Sequence, residues 1–288
     1  MTILYDAKVI RFENHVEIIR YGESRIRVSE EGNYFKKKVP DTDDINEEEK
    51  KKLRLLQQAF RIKRKIKYYC VANEFDLFWT LTFDDRKVNA KNYEYSRKQL
   101  QAWLKYQREK YGKFDYLFIP ELHKSGRIHF HGVTGRFSPL LKEARYPKSN
   151  RLIKKKGVQI YNAENWNKGF STVSKIQSRE KSSSYITKYI TKELLENPSA
   201  YHQPRYFVSR GLKKPEISFE KLSDDYFSNF SPSFVIGTKN LCTNEFEAEI
   251  SIYQIDVNED GEIYQKNPPE TTWKSRNVKS SDGNQSFQ

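Results

Sequence analysis

Tyr116-Leu-Phe-Ile-Pro120-Glu121-Leu-His123-Lys-Ser-Gly126-Arg127-Ile-His129-Phe-His131-Gly132-Val133 is the stretch whose reading decides how this chain folds. Tyr116 to Ile119 is one apolar arm, Arg127 to Val133 is another, and Ser125-Gly126 between them has the composition of a turn, so the stretch reads as a β-hairpin. Register then decides which side chains share a face. A loop of only Ser125-Gly126 pairs Glu121 with Phe130 and puts its carboxylate on the face opposite both His129 and His131. A loop of Lys124-Ser125-Gly126, with Gly126 in the left-handed position of a bulged turn, pairs His123 with Arg127 and Glu121 with His129. The second register is the one expected here. Residues two apart on a strand point to the same side, so Glu121, His129 and His131 then converge. Pro120 lacks a backbone donor, so this strand end is expected at an edge or a bulge.

Two imidazoles and a carboxylate are ligand types that hold a divalent ion and leave positions open for phosphate oxygens and water. A lone His-x-His in a strand ordinarily does no more than flank a core residue. Three of the five histidines within nine residues, with an acid across the hairpin, weight the reading toward a metal site. His123 stays open between a fourth ligand, a partner behind the ligands and a nucleic-acid contact.

A second constellation follows in Ser182-Ser-Ser-Tyr185-Ile-Thr-Lys188-Tyr189-Ile-Thr-Lys192-Glu193. At about 100° per residue, Tyr185, Tyr189, Lys188 and Lys192 fall within one arc of about 100° on a helix. Ile186, Ile190 and Leu194 form a separate stripe that is expected on the core, leaving both tyrosines for other work. The serine run suits an N-cap and Asn197-Pro198 a stop. In most helices a tyrosine pair at this spacing is half-buried packing. Here each tyrosine precedes a lysine by three residues. A phenol attacks near neutral pH only when a cation or metal stabilises its phenolate, which favours a nucleophilic role.

The 52 Lys and Arg against 38 Asp and Glu leave a net charge of +14, a field that attracts polyanions without identifying them. Bases are densest between Lys142 and Lys181, where Lys154, Lys155, Lys156, Lys175, Arg179 and Lys181 are the expected DNA contacts along a track into the site. A solvated charged loop is the plain alternative. Tyr161, Trp166 and Phe170 lie nearby as candidates for stacking on single-stranded bases. No run approaches the roughly 18 apolar residues of a membrane helix, and no secretory signal pattern opens the chain. Cys70 and Cys242 are the only cysteines, which fits a reducing cytoplasm. No P-loop motif marks an attached helicase, so duplex unwinding would need a partner.

Along the chain, Val9 to Phe12, Val16 to Ile19 and Arg25 to Val28 alternate as a short antiparallel meander. A charged helix is expected from Asn46 to about Ala72, acidic first and basic later as the helix dipole favours. Phe78 to Phe83 reads as a strand with Thr80 and Thr82 on one face and Trp79, Leu81 and Phe83 on the other. Leu100, Trp103, Leu104 and Tyr111 mark an amphipathic helix that covers the sheet. Gly169 to Ile176 and Tyr206 to Ser209 read as strands, and Phe246 to Tyr264 as a hairpin turning at Asn258 to Gly261. The expected organisation is an N-terminal β appendage over residues 1–44, a main domain over 45–218, an extension with a hairpin over 219–266 and a disordered tail over 267–288. The fold class is α+β.

Phe78-Trp-Thr-Leu-Thr-Phe-Asp84, then His129-Phe-His131, then Tyr185-Ile-Thr-Lys-Tyr-Ile-Thr-Lys192 resemble, in this order, the three motifs of HUH-superfamily rolling-circle replication initiators. The doubled tyrosine is similar to the bacteriophage branch, as are Ala72-Asn-Glu-Phe75 and Arg205 to Pro215. The likeness covers roughly residues 50 to 218 and implies a ferredoxin-like five-stranded antiparallel sheet flanked by helices, with the histidines on a central strand. It implies that Glu121, His129 and His131 bind Mg²⁺ or Mn²⁺. One tyrosine then attacks DNA, leaving a 5′-phosphotyrosyl link and a free 3′-OH. Tyr189 aligns with the sole tyrosine of one-tyrosine relatives and so acts first; Tyr185 performs the second transesterification, with Lys188 and Lys192 assisting. Arg210, Lys213 and Lys214 in the segment after the third motif are further candidate DNA contacts. Implied partners are single-stranded or hairpin origin DNA, a host helicase and a DNA polymerase in the bacterial cytoplasm. A relaxase or single-strand transposase of the same superfamily, a water-using metal nuclease, and a non-catalytic origin-binding repressor are the rival readings.

Overall fold

The computed structural model describes residues 2–28, 46–190, 203–239 and 246–275. In chain order the first elements are β1 (Thr2–Arg11), β2 (His15–Val28), α1 (Glu47–Ala72), β3 (Leu77–Phe83), α2 (Tyr93–Tyr111), β4 (Asp115–Leu122) and β5 (Ile128–Gly135). Next come β6 (Leu141–Glu143), β7 (Lys154–Lys155), β8 (Val158–Gln159), β9 (Tyr161–Ala163), β10 (Gly169–Lys175), α3 (Arg179–Thr187) and β11 (Phe207–Val208). The last are β12 (Glu216–Glu220), α4 (Asp224–Phe227), β13 (Phe234–Lys239), β14 (Phe246–Val257), β15 (Ile263–Tyr264) and β16 (Thr272–Ser275). The fold is α+β, and the chain divides into two compact units, residues 40–214 and residues 1–39 with 215–288.

In the unit of residues 40–214, antiparallel strands run in the order β11-β4-β5-β3-β10-β9-β6. Seven strands stand where five were expected. The extra ones are short, and two come from the lysine- and arginine-rich segment expected as a DNA track: Leu141, Tyr161 and Ala163 have apolar surface to bury, which draws β6 and β9 onto the sheet. β3 alternates as its sequence requires, with Leu77, Trp79, Leu81 and Phe83 buried on one face. α2 lays Leu100, Trp103 and Leu104 on that face, where the Trp103 ring stands 5.6 Å from Trp79 and 6.2 Å from Phe118. α1 begins at the Asn46 cap, whose Oδ1 accepts from Glu49 N at 2.8 Å, and packs along α3.

Gly132 lies on β5 between Trp79 of β3 and Phe118 of β4, and a Cβ there would overlap the Phe118 ring. The space that a side chain would need is filled by an aromatic ring buried to 0% exposure.

In the unit of residues 1–39 with 215–288, the sheet order is β12-β1-β2-β14-β13-β16, with β15 paired to the far end of β14. Ala7, Val9, Val16, Ile18, Tyr253 and Ile255 form its core with Phe227. The expected N-terminal and C-terminal appendages are therefore one sheet, and β12, which straddles the boundary expected after residue 218, belongs to it. The reason is unpaired backbone: a two-stranded hairpin is marginal alone and completes its ladders with strands from far along the chain. Arg25 to Val28 continues β2 instead of making a third strand of a meander, carried past an irregularity between Tyr5 and Ala7. The hairpin at Asn258 to Gly261 forms as expected, with Gly261 at φ +84°. β16 falls inside the stretch expected to be disordered, whose remainder from 276 lies outside the described residues. No helix among the described residues is long and apolar enough to cross a membrane.

Gly132→Ala should lower stability by about 1–3 kcal/mol, the usual range for overpacking a close-packed core. Thermal denaturation checks this, and adding Phe118→Leu, which vacates the ring, should make the pair less destabilising than the sum of the two single changes.

Candidate active site

The hairpin adopts the register with a three-residue loop. Glu121 pairs with His129 and Leu122 with Ile128, His123 N donates to Arg127 O at 2.8 Å, and Gly126 N donates to His123 O at 2.8 Å. Gly126 has φ +80°, the left-handed conformation that this turn demands and that glycine adopts without penalty. Among the described residues β11 covers β4 at Leu117 and Phe118 and does not reach Pro120, which lies beyond it on that edge. Ile128 N donates to Ala90 O at 2.8 Å and Arg127 pairs with Asp85, tying the start of β5 to the segment after β3.

On the face away from α2, Glu121 Oε2 lies 2.6 Å from His131 Nε2, and Thr80 Oγ1 lies 3.1 Å from His131 Nδ1. His131 is 4% exposed, and burial holds its imidazole below the ordinary value although Glu121 pulls the other way. The hydrogen bond from His131 holds the Glu121 carboxyl below its usual range. A neutral imidazole donating Nε2–H to an ionised carboxylate and accepting the Thr80 hydroxyl satisfies both directions. Burial likewise lowers His129. The His123 ring stacks on His129 with centroids 5.2 Å apart and planes 4° from parallel, and its Nδ1 lies 3.0 Å from Ser125 Oγ.

Two imidazoles and a carboxylate suit a divalent ion by chemistry and by face. As arranged, Glu121 and His131 bond to each other, and no three His, Cys, Asp or Glu side chains among the described residues stand in ligating geometry. Holding an ion requires Glu121 to turn away from Nε2.

α3 brings the tyrosines to this cluster. The helix ends at Thr187 and the chain continues in tighter turns, with Tyr189 N donating to Ile186 O at 3.3 Å and Ile190 N to Thr187 O at 3.3 Å. Ile186 and Ile190 are 0% and 1% exposed, so the isoleucine stripe is on the core as its spacing requires. Tyr189 is not free, however: its ring lies flat on the His131 imidazole, 3.4 Å between centroids and 5° between planes. Tyr185 stands edge-on to Tyr189 at 5.5 Å and to Phe78 at 5.1 Å, with Lys188 Nζ 5.6 Å from its ring centre. Burial first, then Tyr185 and the Glu121 charge, push the Tyr189 phenol well above its ordinary value. Lys192, Leu194, Asn197 and Pro198 lie outside the described residues.

Lys154 and Lys155 form β7, and Lys156-Gly157 turns into β8 with φ of +51° and +81°, a tight two-residue hairpin. Lys155 bears electrostatically on His131 and adds to the lowering of its imidazole. Lys175 is exposed at the end of β10, and the side chains of Arg179 and Lys181 lie outside the description. Lys142 and Arg145 pair with Glu164 and Glu143. Lys213 and Lys214 are exposed after β11, while Arg210 bears on Tyr116, whose side chain lies on the α2 face and not with the histidines. Of the three aromatics considered for base stacking, Trp166 is core at 2% exposure, Tyr161 packs against the core, and Phe170 is 58% exposed on the histidine face. Thr80 and Phe78 lie within the first motif, which by itself assigns them no role; alternation along β3 marks their face, and register then places Thr80 opposite His131.

In chelator-treated protein, stability should be full above the ordinary imidazole value of 6.5 and decline as pH falls below it, because the folded state binds protons on His129 and His131 less readily than the unfolded chain. Glu121 adds a further loss as pH falls through its lowered folded value, beneath its ordinary 4.5. Thermal denaturation between about pH 8 and about pH 4 checks the sign; His131→Gln should flatten the upper limb without abolishing it, since His129 remains.

Neither the curated proteins nor the solved structures gave a match to this chain. A family model for the ORF2 class of replication-associated proteins matches residues 76–194, a segment that opens just before β3 and takes in the hairpin, the lysine tip and both tyrosines, and this similarity supports a replication-initiator role.

Proposed function

We propose that this protein is a replication-initiator endonuclease that nicks single-stranded origin DNA by metal-assisted tyrosine transesterification and rejoins the strand during rolling-circle replication. The observation that carries the reading is the convergence of Tyr189 and Tyr185 on His131, Glu121 and His129, from elements more than fifty residues apart in sequence. A water-using nuclease would have no need of a tyrosine stacked on a ligand histidine. We read β4, β5, β3 and β10 as the main part of the ferredoxin-like core that the HUH resemblance implies.

Glu121, His129 and His131 would hold Mg²⁺ or Mn²⁺, which when bound polarises the scissile phosphodiester. Tyr189 Oη forms a bond to phosphorus while the bond from phosphorus to the 3′ oxygen breaks. The phenol loses its proton and the departing oxygen gains one, giving a 5′-phosphotyrosyl link and a free 3′-OH. One phosphodiester replaces another, so nicking and joining need no nucleotide hydrolysis. The burial that raises the Tyr189 phenol keeps it protonated, and inert, until DNA and an ion are present. Tyr185, more exposed and beside Lys188, serves the second transfer. Lys188 and Lys192 neutralise phosphate charge, and Lys154, Lys155 and Lys156 guide the backbone toward the site. Host helicase and polymerase in a bacterial cytoplasm would supply unwinding and synthesis.

Incubation with Mn²⁺ and labelled single-stranded DNA from the protein's own replicon should give an adduct that survives denaturation. Chelator, and Tyr185→Phe combined with Tyr189→Phe, should abolish it, and Tyr189→Phe alone should suppress the first adduct. Glu121→Gln or His131→Ala should slow nicking by roughly 10²-fold or more. Cleavage without an adduct that persists in the double tyrosine variant would overturn this mechanism in favour of a hydrolytic nuclease, and origin binding without any cleavage would favour a repressor.

A further inference from the structure

The unit of residues 1–39 with 215–288 presents a second chemically distinctive surface. Tyr5, Tyr21 and Phe219 come from the adjacent strands β1, β2 and β12 and meet on one sheet face: the Tyr5 ring stands edge-on to Phe219 at 4.9 Å and to Tyr21 at 6.0 Å. Over these rings lie two guanidiniums, Arg25 at 3.7 Å from the Tyr21 centroid and Arg27 at 4.2 Å from that of Phe219. Register accounts for the arrangement, since the irregularity after Tyr5 sets Tyr5 opposite Arg25. Both arginines are exposed and the three rings are half-buried.

The other face of the same sheet shows the contrast. There Arg11 pairs with Glu220 and Arg20 with Asp224, as arginines that serve stability do. Arg25 and Arg27 enter none of the described ion pairs, and from Ile19 to Val28 the chain carries three arginines and one acid, Glu23. Contact with a ring restrains each guanidinium, which lowers the entropy lost on binding an anion. A second copy of this chain fits poorly, because a two-fold contact would set the arginines against themselves. Duplex DNA would offer a flat face only phosphates and make no use of the rings. A single strand offers phosphates to the guanidiniums and unstacked bases to the aromatic edges.

We propose that Arg25, Arg27, Tyr5, Tyr21 and Phe219 form a binding platform for single-stranded DNA, separate from the Tyr189 site. The proposal rests on the functional reading above only for the choice of DNA over RNA. It is tested on the full chain, with chelator present, by fluorescence anisotropy of a labelled oligothymidylate of about 30 nucleotides, and is therefore indifferent to whether nicking occurs. Arg25→Ala with Arg27→Ala should weaken binding roughly tenfold, and Arg25→Lys with Arg27→Lys, which keeps the charge but loses the guanidinium fork, should recover only part of that loss. A bromodeoxyuridine-substituted strand should crosslink to peptides containing Tyr5, Tyr21 or Phe219. Wild-type affinity in the alanine pair, or crosslinks confined to residues 40–214, would overturn the proposal. Loss of self-association in place of DNA binding would overturn it in favour of a protein interface, and tighter binding of oligouridylate would reassign the strand to RNA.

Discussion

Everything in the candidate site depends on one turn. A three-residue loop with Gly126 at positive φ sets β4 against β5 so that Glu121 stands beside His129 and one step from His131. A slip of a single residue would turn both imidazoles toward α2 and bury them among Trp79, Trp103 and Phe118. Phe130, Gly132 and Thr134 would then face the site with nothing to offer it. The same register is held from the other side by close packing, because the Phe118 ring occupies the space beside Gly132 that any side chain on β5 would need there. Turn chemistry and core volume thus enforce one alignment, and the alignment makes the site.

Polar groups of that site bond to one another. Thr80, His131 and Glu121 form a hydrogen-bonded line through a nearly buried imidazole, and Tyr189 seals it from above. A buried polar group left without partners is costly, so a chain that places two histidines on a sheet under a helix must supply them. Burial lowers the His131 imidazole and raises the Tyr189 phenol.

The second unit follows a different logic. Its strands are supplied by both ends of the chain, with the whole of residues 40–214 inserted between β2 and β12 in sequence. Such pairings close long loops and give the sheet high contact order, so the first unit to form is expected to be the inserted one. Two faces of one sheet then diverge in chemistry, one with ion-paired arginines over an apolar core, the other with arginines stacked on rings and turned outward.

Local chemistry was legible in the sequence. The Asn46 cap, the alternation of β3, the hairpin register and the isoleucine stripe of α3 each follow from forces acting within a few residues: capping, side-chain period, turn geometry and amphipathicity. What the sequence could not announce were relations between distant segments. That Trp166 is core while Phe170 is exposed depends on which strand runs beside β10, and that Thr80 supports His131 depends on β3 lying next to β5. The joining of both chain ends into one sheet, and the seating of Tyr189 on His131, are likewise long-range outcomes. Local periodicity tells a strand which face to bury; only the competition among all strands for backbone partners and buried area tells it which neighbour to take.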